Sequence, residues 1–407
     1  MPRTPIRSTR LAAALLLALA LPLAAQSPED TGPVEDTTDD TAVTETAAED
    51  AAIADPAAEA PAEAAPEAPA AAADPALLDA EILPRASRSM LLDAVRTNAG
   101  YFAVGERGHV LVSEDGKTWN QAAVPTRATL TSIATADGML WAAGHDGVIV
   151  HSTDGGQTWT RRRAAPWSYD IVDPSEGVPV MDLLFTDPMN GFAVGAYSLM
   201  LVTSDGGVTW APRSVLGEDT AEPEPAVEAP AATEGDDWTF DESDLSLDAE
   251  ADPHFNAITR AGSGALVIVG ERGAFFRSRD GGETWERKRL PYEGSMFGVL
   301  SWEGEHLLAF GLRGNVLESH DLGSTWTPVE TGVSTSLMGG HALANGGAIL
   351  VGTNGVVLMR PDAGSPFTAT TFETATGETP LLSNVLPAGD AGYLVIGDKG
   401  ADLYRPQ

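Results

Sequence analysis

Two interleaved repeats with a period of about 40 residues predict an all-β fold, a seven-bladed β-propeller of four-stranded antiparallel blades. The first repeat reads S-x-D-x-G-x-T-W. It is clearest at Ser278 to Trp285 and returns as Ser152 to Trp159, Thr203 to Trp210 and Ser319 to Trp326. Ser113 to Trp119 is a copy one residue short, and Arg360 to Phe367 keeps only Asp362, Gly364 and an aromatic. The second repeat is an apolar strand followed by G-x-x-G, with first glycines at 105, 144, 195, 270, 311, 352 and 397. Seven such units in one chain mean seven blades.

Each repeat has a physical task. In the first, the carboxylate of Asp115, Asp154, Asp205, Asp280 or Asp321 accepts hydrogen bonds from turn amides, and glycine supplies positive φ. Thr starts the next strand, and Trp119, Trp159, Trp210, Trp285 or Trp326 offers a large apolar face for burial. The motif is a hairpin device, not a catalytic one. The boxes resemble the Asp-boxes (BNR repeats) of sialidases and related propellers. Combined with the G-x-x-G turns, they are similar to the photosystem II stability/assembly factor-like family and its exported bacterial branch. That resemblance covers about residues 85–407 and implies a propeller fold and an arginine-rich patch for partner proteins.

In chain order, residues 1–25 read as a secretory signal. Arg3, Arg7 and Arg10 precede an apolar run, Leu11 to Leu23, that is short for a bilayer span. The expected location is therefore the periplasm or the exterior, with no transmembrane segment in the mature chain. The chain has no cysteine, so neither a disulfide nor a lipid-anchoring thiol is expected. Residues 26–79 are rich in Ala, Pro, Glu and Asp, and residues 27–81 hold 16 acidic and no basic residues. Such a composition cannot bury enough apolar surface to offset ordering, which predicts a disordered linker.

The propeller is expected over residues 80–407. Blade one takes Leu91–Arg96, Tyr101–Val104, His109–Ser113 and Thr118–Val124. Blades two to six begin near Thr129, Val180, His254, Met296 and Ser336, and alternation in FTATTF gives blade six its last strand. Blade seven has only three strands, ending in Ala401–Arg405. An open edge is a liability, so Glu81 to Pro84 is expected to supply the fourth strand and close the ring.

Two insertions break the period. The first, Ala164 to Gly177, carries Trp167. The second, residues 217–253, holds 14 acidic and no basic residues and sets Trp238 and Phe240 among carboxylates. Of the net charge of −35, most falls on this insertion and the linker. The mildly acidic remainder argues against nucleic acid as a partner.

Blade topology puts the G-x-x-G turns and both insertions on one face and the Asp-boxes on the other. The third turn position reads Arg107, Asp146, Tyr197, Arg272, Arg313, Asn354 and Lys399. A candidate docking face therefore consists of Arg107, Arg272, Arg313, Lys399 and Tyr197, with Trp238 and Phe240 from the acidic insertion. Inner-strand polar residues (Arg96, Asp182, His254, Asn256, Arg260, His341 and Asn384) are candidates to line the central channel.

No Walker loop, nucleophile elbow or metal-ligand spacing appears, so neither a cofactor nor a metal is expected. The favoured reading is a non-catalytic envelope interaction or assembly scaffold. Its partners would be envelope or membrane proteins, and the resemblance points to export systems of the resistance–nodulation–division (RND) type. The competing reading is a glycan-binding or sialidase-like glycosidase propeller. Arginines converging in the channel would favour that alternative, and arginines at the turn tips favour the scaffold.

Overall fold

The computed structural model describes residues 8–9, 73–168, 176–215 and 252–406. Apart from Ser8–Thr9, the signal sequence lies outside the described residues, as do most of the linker and the body of the acidic insertion, with Trp238 and Phe240. Seven antiparallel sheets follow one another as blades, and blades one to six each have the chain-order strand arrangement one-two-three-four. Inner strands are Leu91–Thr97, Leu130–Ala136, Val180–Phe185, Phe255–Arg260, Met296–Ser301, Leu337–Ala342 and Leu382–Pro387. The two-residue strand Ser8–Thr9 pairs with the inner strand of blade six.

Outer strands are shorter than their sequence suggests. In blade one, the segment Thr118–Val124 keeps only Asn120–Gln121 as strand. An outer strand has one neighbour and its residues are exposed or half-buried, so little holds its ends.

The core is divided among the blade interfaces rather than gathered at one centre. One cluster joins blades one and two through Val95, Phe102, Ile133 and Leu140. Another joins blades four and five through Val267, Phe275, Leu307 and Leu317. Each blade is apolar on both sheet faces because each is covered by a neighbour on both sides.

Every inner strand carries the same irregularity. Register breaks at its second residue in all seven blades, skipping Leu92, Thr131, Met181, Asn256, Phe297, Met338 and Ser383. A bulge of this kind bends the strand and turns one side chain towards the axis. Leu92, Phe297 and Met338 meet in one buried apolar cluster. Thr131, Asn256 and Ser383 instead donate to the carbonyls of Val180, Met296 and Leu91, tying each blade to the next. The Ser383 to Leu91 bond, at 2.8 Å, joins blade seven to blade one.

Ring closure differs from the sequence expectation. Blade seven is three-stranded, and Glu81 to Pro84 does not join it. The Glu81 carbonyl and the Leu83 N–H are both taken by the Gln121 side chain of blade one, at 2.8 Å each. Pro84 has no N–H to give to a ladder. On the outer strand of blade seven, Asp402 accepts the Leu403 N–H at 2.7 Å, so a side chain satisfies part of that edge. Residues 73–79, which composition places in the linker, are packed: Ala76 is fully buried against blades one and two.

Candidate docking face

The G-x-x-G turns share one hydrogen bond in all seven blades. The residue after the first glycine donates its N–H to the carbonyl of the residue leading into the inner strand; Glu106 to Met90 and Asp398 to Leu381 are the first and last cases. The first glycine is extended, at φ −173° for Gly105 and −177° for Gly144, a conformation open to any residue. Glycine is needed there because a Cβ on Gly105 or Gly144 would run into the carbonyl oxygen of Met90 or Thr129. The requirement is close approach, not positive φ.

Positive φ belongs to the fourth position in every blade and, in blades one to six, to the third as well. Arg107, Asp146, Tyr197, Arg272, Arg313 and Asn354 lie between 52° and 58°. Asp and Asn tolerate this region, whereas Arg and Tyr are held there at about 1 kcal/mol or more each. Arg107, Arg272, Arg313 and Tyr197 are exposed. Tyr197, Arg272 and Arg313 come from consecutive blades, three, four and five, and form one arc. The Tyr197 ring packs edge-on against His254, with centroids 4.7 Å apart. Arg313 borders a cleft of about 430 Å³ that also includes Pro328, Val329 and Glu330. Lys399 stands at the equivalent tip of blade seven, but its ammonium is paired with Glu378 at 2.7 Å. That pairing leaves it a weaker contributor than its position implies.

The acidic insertion departs from blade three and returns to blade four on this same face. Its last residue, Pro253, accepts hydrogen bonds from the backbone and hydroxyl of Ser198, next to Tyr197.

The Asp-boxes occupy the opposite face as structural turns. Asp154 accepts from the Ser152 hydroxyl at 2.8 Å, the Thr158 N–H at 2.9 Å and the Thr158 hydroxyl at 2.6 Å. Asp205, Asp280 and Asp321 repeat the pattern with Thr209, Thr284 and Thr325. In the shortened copy, Asp115 accepts from the Lys117 and Thr118 amides. Each box tryptophan packs into the interface with the preceding blade. Trp159 is buried between blades one and two, whereas Trp119, Trp210, Trp285 and Trp326 are only half-buried, short of the sequence expectation.

Thr hydroxyl and amide hydrogen bonds hold the Asp154 and Asp205 carboxyls down to about 2. At Asp321 burial pushes upward but the Thr325 bonds outweigh it, again giving about 2. The folded value lies below the ordinary 3.8, so this contribution is complete above about pH 4 and disappears as pH falls towards 2. An Asp154→Asn/Asp205→Asn variant should therefore melt below wild type at neutral pH, with the gap closing between about pH 4 and pH 2. A gap that persists unchanged at pH 2 in paired melting curves would assign the effect to something other than the carboxylate charge.

Of the polar residues expected to line the channel, Asp182 and Asn384 are instead buried between neighbouring blades. They work with two partners the sequence reading passed over, Ser132 and Asp93. Asn384 donates to Asp93 at 2.6 Å, and Asp93 accepts the Ile133 amide of the next blade. Ser132 donates to Asp182 at 3.0 Å, and Asp182 accepts the Ile258 amide. These carboxylates bind neighbouring blades together. Arg96 and Arg260, at the far ends of inner strands, donate to the carbonyls of Pro387 and Thr186 in adjacent blades.

Residues 86–293 match the family described as DUF6242 beta propeller domain, and residues 232–404 match the family of photosynthesis system II assembly factor YCF48. Photosystem II assembly lipoprotein Ycf48 of Synechococcus sp. (strain CC9902) is 27% identical over 139 residues, 30% of this chain and 40% of that protein. The chain thus spans well under half the length of this curated relative. A solved structure described as YCF48 bound to D1 peptide is 16% identical with a TM-score of 0.55, covering 79% of this chain and 94% of that one. YCF48 from Cyanidioschyzon merolae gives 16% and 0.54, covering 80% and 97%. At such identities the structural likeness carries the fold.

Proposed function

We propose a docking function from one premise: the chain belongs to the DUF6242 β-propeller family and is similar over its second half to the YCF48 assembly factors. In this reading the protein is a non-catalytic scaffold whose G-x-x-G face captures an extended acidic segment of a partner protein. The observation that carries it is the arc of Tyr197, Arg272 and Arg313, whose exposed side chains are kept at left-handed turn tips where smaller residues would be less strained. A related propeller described as bound to a D1 peptide supports a peptide as the class of ligand. None of the relatives named above is an export-system protein, so the RND-type partner is not carried forward. A location outside the cytoplasm is part of this reading, supported by the signal-like residues 1–25 and by the similarity to a protein described as a lipoprotein.

The acidic insertion, residues 217–253, returns beside Tyr197 and has the composition of such a ligand, so it competes for the face. The test uses it as the probe. A labelled peptide of residues 217–253, added to protein lacking that segment, should bind at low salt and weaken as salt is raised. An Arg107→Glu/Arg272→Glu/Arg313→Glu variant should keep its melting temperature, each change costing within roughly 0.5 kcal/mol, and lose at least tenfold in affinity. Trp238→Ala/Phe240→Ala in the peptide should weaken it further. Equal binding by wild type and the triple variant rejects the face.

A further inference from the structure

The geometry points to a second site, on the Asp-box face: we propose that His306, Glu318 and His320 bind a zinc ion. Among the described residues these three form the one group of potential ligands with donor atoms all within 4.8 Å of one another. His306 stands immediately before the second strand of blade five, Leu307–Gly311, and Glu318 lies on the third, Val316–Ser319. Leu307 faces Ser319 and Leu308 faces Glu318 in this hairpin. The register brings His306 to Glu318, and His320 follows as the first residue of the box turn. The site is thus separate from the docking face, which lies at the other end of the blades.

The donor set suits the ion. Two imidazole nitrogens and one carboxylate oxygen, with a fourth position open, make up a familiar zinc ligand set. His306 Nε2 already lies 2.7 Å from Glu318 Oε1. The His320 ring is 4.3 Å from that of His306, centre to centre. Tetrahedral coordination at about 2.0–2.1 Å needs donor separations of roughly 3.3 Å. A slight opening of the first pair and an adjustment of the exposed His320 meet that need. His306 and Glu318 are half-buried, leaving the His320 side open to water.

The surroundings hold the first two ligands in place. His306 stacks on Trp302 at 4.4 Å, and the Trp302 indole donates to the Leu343 carbonyl at 2.8 Å. Arg360, 1% exposed, reaches from blade six to grip both Glu318 oxygens at 2.6 and 3.1 Å. An outer donor of this kind orients a carboxylate ligand. Its positive charge also weakens cation binding, so the expected affinity is below that of a structural zinc site. The competing role is purely structural, with Glu318 serving only as counter-ion to Arg360 and His306. That role has no use for His320.

The experiment is calorimetric titration of Zn²⁺ into the tag-free full chain at neutral pH. Excess Mg²⁺ occupies the exposed carboxylates, which suit it better than imidazole does. Wild type should bind one equivalent with release of protons. His320→Ala, an exposed change, should leave the melting temperature unaltered and weaken binding at least tenfold. Co²⁺ in place of Zn²⁺ should give the strong visible absorption of a low-coordinate site, lost in the same variant. Absence of a one-equivalent event in wild type, or equal binding by His320→Ala, overturns the proposal.

Discussion

Replacing Trp159 by alanine should lower the unfolding free energy by about 3–5 kcal/mol, the range for truncating a buried large aromatic. The indole is 8% exposed and sits in the cluster shared by blades one and two, beside Phe102, Leu140 and Val150. Its N–H donates to the Gly156 carbonyl within the same turn at 3.2 Å. The box thus holds its own tryptophan as a wedge against the preceding blade. Removing the wedge opens a cavity between two sheets that cannot collapse without shifting the whole ring. Trp285→Ala is the internal comparison: that indole is half-buried and its N–H has no hydrogen-bond partner among the described residues, so its loss should cost clearly less. Guanidinium titrations of both variants give the comparison. Equal costs, or a Trp159→Ala cost under about 1 kcal/mol, would remove the wedge from the account.

The blade count was legible because turn geometry is written in residues with few substitutes. Close approach demands Gly144, and a three-bonded carboxylate demands Asp154. The arginine tips were likewise legible by position, though their left-handed backbone was not. Nothing in composition marks the bulge that every inner strand shares, since the bulged residue is Leu92 in one blade, Thr131 in the next and Asn256 in another. Asp93 escaped notice because an acid in a strand reads as solvated, whereas here it accepts amides from two blades. The zinc candidates were hidden by distance along the chain. His306 meets Glu318 through a hairpin, and Glu318 meets Arg360 across a blade interface 42 residues on. Such pairings depend on a register that spacing alone does not provide.

That same dependence governs how the ring is closed, and it gives the second large effect. Deleting residues 1–88 should destabilise the propeller by about 3–5 kcal/mol, while deleting residues 1–72, which removes only the two-residue pairing of Ser8–Thr9 among the described contacts, should cost little. Residues 74–88 act as a strap rather than a strand. The Pro75 carbonyl accepts from the Arg127 amide at 2.8 Å, and the Ala80 amide donates to Val124 at 2.9 Å. Arg127 also grips the Asp79 carbonyl and pairs with Glu81 at 2.8 Å, while Arg161 donates to the Ala76 carbonyl at 3.1 Å. Farther on, Ala86 is buried and Leu83 packs into the cluster that joins blades seven and one. The Ser87 carbonyl then lies directly over Gly400, where a Cβ would collide with it. In blades one and five the corresponding glycines, Gly108 and Gly314, meet the carbonyls of Thr126 and Val333 on the way to the next blade. Ser87 therefore takes the place of the connection that blade seven lacks. Several direct hydrogen bonds at about 1 kcal/mol net each, together with the apolar contacts of Ala76, Leu83 and Ala86, give the stated magnitude. Melting curves of the two truncations decide the matter. If both melt together, the strap is dispensable and closure rests on the blade-seven to blade-one contacts alone, chiefly Ser383 to Leu91 and Asn384 to Asp93.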